Sequence, residues 1–217
     1  MGEVEIVSSQ KTIIIHSNIL LYGYQSSQAL AYQVADEIET MWNEANGSVQ
    51  LLQHNMQVVF KIRGYYWPTV VKKNIAQNVN ARNNYFRIEE EHEGNISFVD
   101  AVGSNTGYWL LKNLYSGSTT AAHEYGHTIG LLHPNNLDLR TQGIPGIMYP
   151  RGTYVDAQYQ YDPTKPAGEE GGFMHPMHRK VKQADIDLLN IPSLNFNSDG
   201  MAVIGQFTNI HHPNYGR

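Results

Sequence analysis

Three histidines lie within eleven residues of this chain, in the segment HEYGHTIGLLH at 123–133. Residues four apart lie on one face of a helix, so His123 and His127 can bind the same metal ion. Gly130 can adopt a positive φ without steric cost, and a turn there would bring back His133 as a third ligand. Three neutral imidazoles leave one coordination position open. A catalytic zinc site needs that opening, whereas a structural site fills all four positions.

The residue after the first histidine supplies the second part of the chemistry. Zinc lowers the pKa of its bound water to about 7 in favourable sites. Glu124 would be close enough to take a proton from that water without being a ligand, and could pass the proton to a leaving nitrogen. Zinc would also stabilise the developing oxyanion. The segment therefore predicts one catalytic zinc ion and hydrolysis of a peptide bond, with Glu124 as general base and acid.

Chance is a poor explanation of this pattern. The chain has ten His, twelve Glu and nineteen Gly, and these frequencies give the full motif by chance with a probability of about one in ten thousand. An inactive relic that keeps the ligands is an alternative. Glu124 argues against that alternative, because binding a metal does not by itself need that residue.

The composition argues against several other kinds of site and partner. The chain has no cysteine, which excludes disulfides, thiolate ligands and thiol nucleophiles and leaves histidine and carboxylate as the strong metal ligands. Only 16% of the residues are charged and the net charge is -5. Because Lys and Arg are not clustered, no nucleic-acid partner is expected. No apolar run is long enough to span a membrane, and none resembles the core of a signal peptide.

Hydrophobic periodicity predicts the elements that must position the motif. The segment SSQALAYQVADEIETMWNEANG is typical of an amphipathic helix. SGSTTAAHEYGHTIG predicts a second helix, capped by Ser118 or Thr119 and ended by Gly130. KVKQADIDLLNIP predicts a third, with Ala184, Leu188 and Leu189 facing inward. Strands are expected in IIIHSNILLYG, VVFKIRGYYW, NYFRIEEE, ISFVDAV and GYWLLKNL.

These elements predict an α+β fold in a single catalytic domain, 1–217. Its N-terminal subdomain, 1–133, would be α/β-like, with a mixed twisted sheet and the motif helix. Its C-terminal subdomain, 134–217, would be rich in loops, because residues 134–180 contain much Pro, Gly, Asn and Tyr without periodicity. A loop region of that length inside a domain is usually functional.

The motif resembles that of the metzincin clan of zinc endopeptidases, which is matched at His123, Glu124, His127, Gly130 and His133. The clan also has a methionine turn beneath the metal, and GIPGIMYP offers Met148 for it. The resemblance implies a zincin-like fold, Met148 as a support of the site that does not ligate zinc, and a protein or peptide substrate lying along residues 104–111 as an edge strand. It also favours a secreted or extracellular location and leaves a structural calcium ion open without supporting it.

Subfamily features are mixed. IMYP and KVKQADIDLL are similar to the Met-turn and C-terminal helix of matrixins, whereas Pro134 is similar to the residue after the third histidine in serralysins. Pro150 occupies the place where serralysins and astacins often have a tyrosine ligand, so no such ligand is expected. The segment after Pro150 weakly resembles metallopeptidase domains of bacterial polymorphic toxins, for which an inhibitor or immunity protein would be a partner.

Other candidate residues have simpler interpretations. His175 and His178, after Glu169 and Glu170, could line the cleft or bind a second metal, but solvated loop positions are the favoured interpretation. NFNSDG followed by Gln206 loosely imitates a calcium loop, and a turn is favoured there. Glu91, His92 or Asp100 could belong to a structural metal site. Arg151 could favour an acidic substrate residue, although a structural ion pair is the favoured interpretation.

Two other functions stay open at this stage. One is a zinc amidohydrolase acting on a non-protein amide. The other is a binding domain that retains zinc without catalysis.

Overall fold

The computed structural model describes residues 1–92 and 94–213, and it confirms the predicted α+β class. The helices are α1 (Gln28–Glu44), α2 (Lys72–Ala76), α3 (Thr120–Thr128) and α4 (Gln183–Leu188). The strands are β1 (Gly2–Val7), β2 (Thr12–Tyr22), β3 (Ser48–Leu51), β4 (His54–Tyr66), β5 (Asn83–Glu89), β6 (Phe98–Val99), β7 (Thr106–Leu110) and β8 (Met201–Ile204).

One mixed sheet contains all of these strands, in the order β3-β4-β2-β5-β7-β6, with β1 paired to β2 and β8 paired to β1. Strand β2 is central because it is long and rich in Ile and Leu. It pairs in parallel with β4 on one side and β5 on the other, and its first half also pairs antiparallel with β1. The outer strands β3 and β6 run antiparallel to their neighbours. The predicted mixed sheet is therefore present.

The expectation that residues 104–111 form an edge strand is wrong. Strand β7 is buried along its whole length, and β6 pairs with its outer side, Phe98 opposite Tyr108 and Val99 opposite Gly107. A strand with neighbours on both sides has no free backbone row with which to bind an extended peptide. The outermost position on this side of the sheet belongs to the two-residue strand β6.

Helix α1 connects the sheet to the motif helix. The Ser27 hydroxyl caps it by accepting the Leu30 N–H at 3.1 Å. Its apolar face packs on β4 and α3, and the Trp42 indole donates to the Ala122 carbonyl at 3.1 Å. The rings of Trp42, Phe60 and Tyr125 pack together, with centroids 5.1 to 6.3 Å apart. Sheet, α1 and α3 therefore share one core.

Helix α4 forms where the sequence predicts it, but the predicted inward face is partly wrong. Leu189 is buried as expected, whereas Ala184 is exposed and Leu188 is 69% exposed. The buried positions are Asp185 and Ile186. The helix is rotated in this way because the Asp185 carboxylate has backbone partners inside the protein, which are described below.

Residues 134–180 are irregular, as predicted, and contain only 3-10 turns at Ala157–Tyr159 and Pro176–His178. Leu139, Val155 and Met174 form a small separate apolar cluster in this segment. The division into subdomains at residue 133 stays a prediction. Within the described part of the chain, no helix has the length and apolar character that crossing a membrane would require.

Candidate metal centre

The motif helix α3 obtains its N-terminal cap from two places. Thr119 has φ +56 and no capping side-chain bond, so it is not the cap that the sequence offered. Ser118 contributes, since its hydroxyl accepts the Thr120 N–H at 3.2 Å. The Glu37 carboxylate of α1 accepts the N–H groups of Ala121 at 3.1 Å and Ala122 at 3.4 Å. A carboxylate at this end is also favoured by the helix dipole.

Gly130 makes the turn that the sequence predicted for it. Its φ is +101, a left-handed value that a residue with a Cβ adopts only at a cost. The Leu131 N–H donates to the Gly126 carbonyl at 2.9 Å, which closes the end of the helix. The chain then reverses and brings His133 back towards the helix.

The Nε2 atoms of the three motif histidines converge. His133 Nε2 lies 3.1 Å from His123 Nε2 and 3.1 Å from His127 Nε2. A tetrahedral ion with Zn–N bonds of about 2.0 to 2.1 Å separates its ligand nitrogens by about 3.3 to 3.4 Å. Small movements would therefore fit the group to such an ion, and these three residues could hold a metal.

Backbone carbonyls hold the far nitrogens of two of the rings. His123 Nδ1 donates to the Ile147 carbonyl at 2.7 Å, and His127 Nδ1 donates to the Leu131 carbonyl at 2.8 Å. A carbonyl can only accept, so the proton of each neutral ring is on Nδ1 and the lone pair is on Nε2. This is the arrangement in which metal-binding histidines are usually fixed.

Burial keeps the three rings in the neutral form that binds metals. It is the main cause that lowers the pKa of His123 well below its usual value, lowers that of His127, and lowers that of His133 to about 4. Exposure rises in the same order, from His123, which is buried, through the half-buried His127 to the exposed His133. The centre is therefore open to solvent on the His133 side.

Glu124 is buried beside the histidines, with 7% of its surface exposed. Among the described residues, its carboxylate has no hydrogen bond and no ion pair. Burial raises its pKa to about 8, partly offset by the positive charges of Arg179 and Arg151. A divalent cation at the histidines would lower that pKa again. The group is thus available for proton transfer instead of being held in a structural contact.

Met148 packs directly against the motif helix. It is buried, and a Cβ placed on Gly126 would lie 2.3 Å from its Sδ. The absence of a side chain at Gly126 is what lets the methionine come this close. Met148 also follows Ile147, whose carbonyl holds His123. Met148 therefore packs against the motif helix, and its role as a support of the metal centre stays a prediction.

Asp185 extends this support from α4, an arrangement that sequence reasoning missed when it placed Ala184 and Leu188 inside. Its carboxylate accepts the Lys182 N–H at 2.8 Å, and the nearby Ile147 N–H lowers the pKa of Asp185, partly offsetting the rise that burial causes. Asp185 therefore interacts with Ile147, the residue whose carbonyl accepts the hydrogen bond of His123. Its place as the third residue of α4, where an acidic side chain can accept the N–H of the residue before the helix, was the only local signal for it.

Arg179 is a second residue that the sequence did not reveal. It is 2% exposed, and one of its amino groups, Nη1, donates to the Tyr149 carbonyl at 3.3 Å. Its charge acts on Glu124 and on all three histidines. Arginine at the end of an irregular loop carries no motif, so only the folded chain identifies it.

The other candidate residues do not join the centre. The three motif histidines are the only group among residues 1–92 and 94–213 whose ligand atoms could hold a metal. The rings of His175 and His178 are 6.0 Å apart, and His175 Nδ1 accepts the Met177 N–H. Asn197 uses its side-chain oxygen for the N–H groups of Asp199 and Met201, which is a turn.

Comparisons with known proteins give no family for this chain. No protein-family model matches it, and no similar protein was found among the curated proteins. One similar solved structure is described as "Structure of a chaperone-substrate complex", with 13% identity, a TM-score of 0.43, and coverage of 82% of this chain and 34% of that chain. This chain therefore spans about a third of the length of that one. A likeness at this score carries no argument about fold or function.

Proposed function

We propose that this protein is a zinc-dependent endopeptidase of the metzincin type, in which His123, His127 and His133 bind zinc and Glu124 transfers protons. The observation that carries the proposal is the convergence of the three Nε2 atoms, with two of the opposite nitrogens held by backbone carbonyls. A histidine cluster without a metal role has no need of that orientation.

The donor set favours zinc with an open position. Imidazole nitrogens suit zinc better than magnesium or calcium, which prefer oxygen ligands. Three protein ligands with one position left open are typical of catalytic zinc, and a structural site would contribute a fourth ligand. Among the described residues, no further His, Asp or Glu completes the group.

Hydrolysis would use the residues of the site in a definite order. When bound, zinc supplies Lewis acidity, which polarises a carbonyl and makes a water more acidic. The Glu124 carboxylate accepts the proton of the attacking water and then donates it to the leaving nitrogen. Its burial and lack of partners favour this exchange, because neither protonation state is fixed by a competing contact. The Ile147 carbonyl keeps His123 oriented throughout.

The test compares wild type with Glu124→Gln and Glu170→Gln, all loaded with zinc, on a broad fluorogenic protein substrate. Glu170 is exposed and serves as the matched control. We expect Glu124→Gln to retain zinc and lose about 100- to 10,000-fold in rate, as expected for loss of a general base. The control should cleave like wild type.

Two outcomes would contradict the proposal in different ways. If wild type holds no zinc, the assignment of the three ligands is wrong. If all three proteins hold zinc and none cleaves protein substrates, endopeptidase activity is wrong. Hydrolysis of a non-protein amide, or a binding role, would then be tested in its place.

A further inference from the structure

Arg179 is a buried cation that has no carboxylate partner among the described residues. Its side chain is almost fully enclosed, with 2% exposed, and Nε has no hydrogen-bond partner among the described residues. Its one protein hydrogen bond goes to a neutral group, the Tyr149 carbonyl. Arginine is almost never buried unless it is paired, and an unpaired buried charge is costly. The missing partner is therefore expected to come from outside the chain.

Arg151 adds a second guanidinium next to the first. It is exposed, and its contact with protein is a long hydrogen bond of 3.5 Å to the Thr120 hydroxyl. It forms no ion pair within residues 1–92 and 94–213, so the structural ion pair favoured by sequence reasoning is wrong. The two arginines are close enough that each charge acts on the other and both act on Glu124 and on Tyr161.

The acidic residues of this region do not neutralise the pair. Glu37 acts on Arg179 electrostatically, but its carboxylate is occupied with the first N–H groups of α3. Glu124 is beyond ion-pair distance of both arginines. One buried and one exposed cation thus lie where the start of α3 and the chain after Met148 meet, Arg151 at Thr120 and Arg179 at Tyr149.

We propose that Arg179 and Arg151 together bind a carboxylate of the substrate next to the bond that is cleaved. The inference rests on the proposed hydrolase function, because it takes the metal and Glu124 to mark the reacting atoms. The carboxylate can belong to an acidic side chain within the substrate or to its C-terminus. Guanidinium groups bind carboxylates through paired N–H donors. The donors come from the exposed Arg151 and from Nη2 of Arg179, which makes no hydrogen bond among the described residues.

Binding is measured on the zinc-loaded Glu124→Gln protein, so that the readout does not depend on turnover. Fluorescence anisotropy follows four sets of labelled peptides of the same length. One set carries a single internal Glu and an amidated C-terminus, one carries Gln with a free C-terminus, one carries both carboxylates, and one carries neither. The position of the Glu is moved along the peptide within the first and third sets.

We expect a carboxylate-bearing set to bind about 10- to 100-fold more tightly than the set with none, as for charge-assisted hydrogen bonds. An internal Glu at one position identifies a side-chain pocket, and the free C-terminus identifies an exopeptidase-like subsite. In Glu124→Gln/Arg179→Met the preference should disappear, and in Glu124→Gln/Arg151→Met it should weaken. The exposed Arg63 gives the control Glu124→Gln/Arg63→Met, which should keep the preference.

Stability supplies a readout that does not involve peptides. If Arg179 lacks a protein partner, Arg179→Met should leave the melting temperature unchanged or raise it, because a buried unpaired charge is replaced by an apolar chain of similar length. A marked fall would indicate a structural role and overturn the proposal. Equal affinity for all four peptide sets would overturn it as well. Either result would leave open whether the zinc-loaded wild type cleaves proteins, so the two proposals fail separately.

Discussion

The motif segment, residues 123–133, and the loop segment, residues 134–182, both border the metal centre but are ordered by different forces. In the motif segment, one helical turn and one glycine bring the ligands together within eleven residues. In the loop segment, Met148 packs against Gly126 of α3 and Arg179 donates to the Tyr149 carbonyl, while Asp185 of α4 interacts with Ile147. Local geometry determines the conformation of the motif segment, and tertiary contacts determine that of the loop segment.

The two segments therefore differ in how much of their function the sequence can predict. The proposed metal chemistry depends on spacing along one helix, which the sequence displays directly. The proposed preference for a carboxylate depends on two arginines that are 28 residues apart in the chain (179 − 151). The experiments below therefore disturb one segment or the contact between the two, in order of decreasing effect.

The largest effect should follow removal of a ligand from the motif segment. His133→Ala is expected to lower zinc affinity by more than about 100-fold, beyond what outer residues contribute, while the apo fold persists because His133 is exposed. The exposed His54 gives the control His54→Gln. Competition with a chromophoric chelator measures the affinity. Unchanged affinity would mean that His133 is not a ligand.

Zinc should also stabilise wild type by about 2.7 kcal/mol when its concentration is 100 times Kd. His133→Ala should lose this stabilisation at the same zinc concentration. Thermal melts with and without zinc measure both effects. A zinc-independent melt of wild type would contradict the assignment.

The contact between the two segments is tested by Gly126→Ala. The new Cβ would lie 2.3 Å from Met148 Sδ, and overpacking of this kind costs about 1 to 3 kcal/mol. Alanine would by itself stabilise a helix by up to about 1 kcal/mol, so a net loss shows that the clash outweighs helix propensity. Gly152→Ala is the control, since nothing lies within 4 Å of its added Cβ. Chemical denaturation measures both, and equal stabilities would contradict the proposed packing.

A smaller effect is expected for Asp185→Asn, which acts on the centre only through Ile147. The amide retains one acceptor oxygen, whereas the carboxylate accepts the Lys182 N–H and interacts with the Ile147 N–H. We expect a loss of about 1 to 3 kcal/mol in unfolding free energy and a fall in zinc affinity of up to about 10-fold. Asp187→Asn on the exposed side of α4 is the control. Unchanged zinc affinity would show that Asp185 does not affect the metal centre.

The smallest effect should be the pH dependence of the metal-free protein. The pKa values of the motif histidines are lowered in the fold, that of His133 to about 4. Between that value and about 6.5, the unfolded chain binds protons that the folded chain does not, so stability falls as the pH falls. His133 contributes little because it is exposed, and most of the decrease comes from the buried His123. We expect a decrease of several degrees in the melting temperature, given about 2 to 4 °C per kcal/mol in a domain of this size.

The control for this titration is the triple variant His123→Gln, His127→Gln and His133→Gln. It should lose the part of the pH dependence that belongs to the three rings. Melts at intervals from about pH 4 to 7 compare the two proteins. If the melting temperatures of both proteins depend on pH in the same way, the titrating groups are not the three motif histidines.

Several features of this protein follow from local properties of its amino-acid sequence. The spacing of His123 and His127, the turn at Gly130 and the amphipathic pattern of α1 are local properties, so they appear in the structure as predicted. The α+β class follows from the same periodicities. Misjudged features were those in which a side chain has a distant partner, such as the cap from Glu37 and the inward Asp185.

Three other features depend on long-range contacts: which strand lies at the edge of the sheet, which face of α4 is buried, and where Arg179 lies. Strand β6 lies outside β7, although only two residues of β6 form pairs. Helix α4 turns the Asp185 carboxylate inward because backbone N–H groups there interact with it. Such contacts depend on segments far apart in the chain, and no local preference encodes them. Helix geometry therefore assembles the metal ligands, while long-range packing determines what surrounds them.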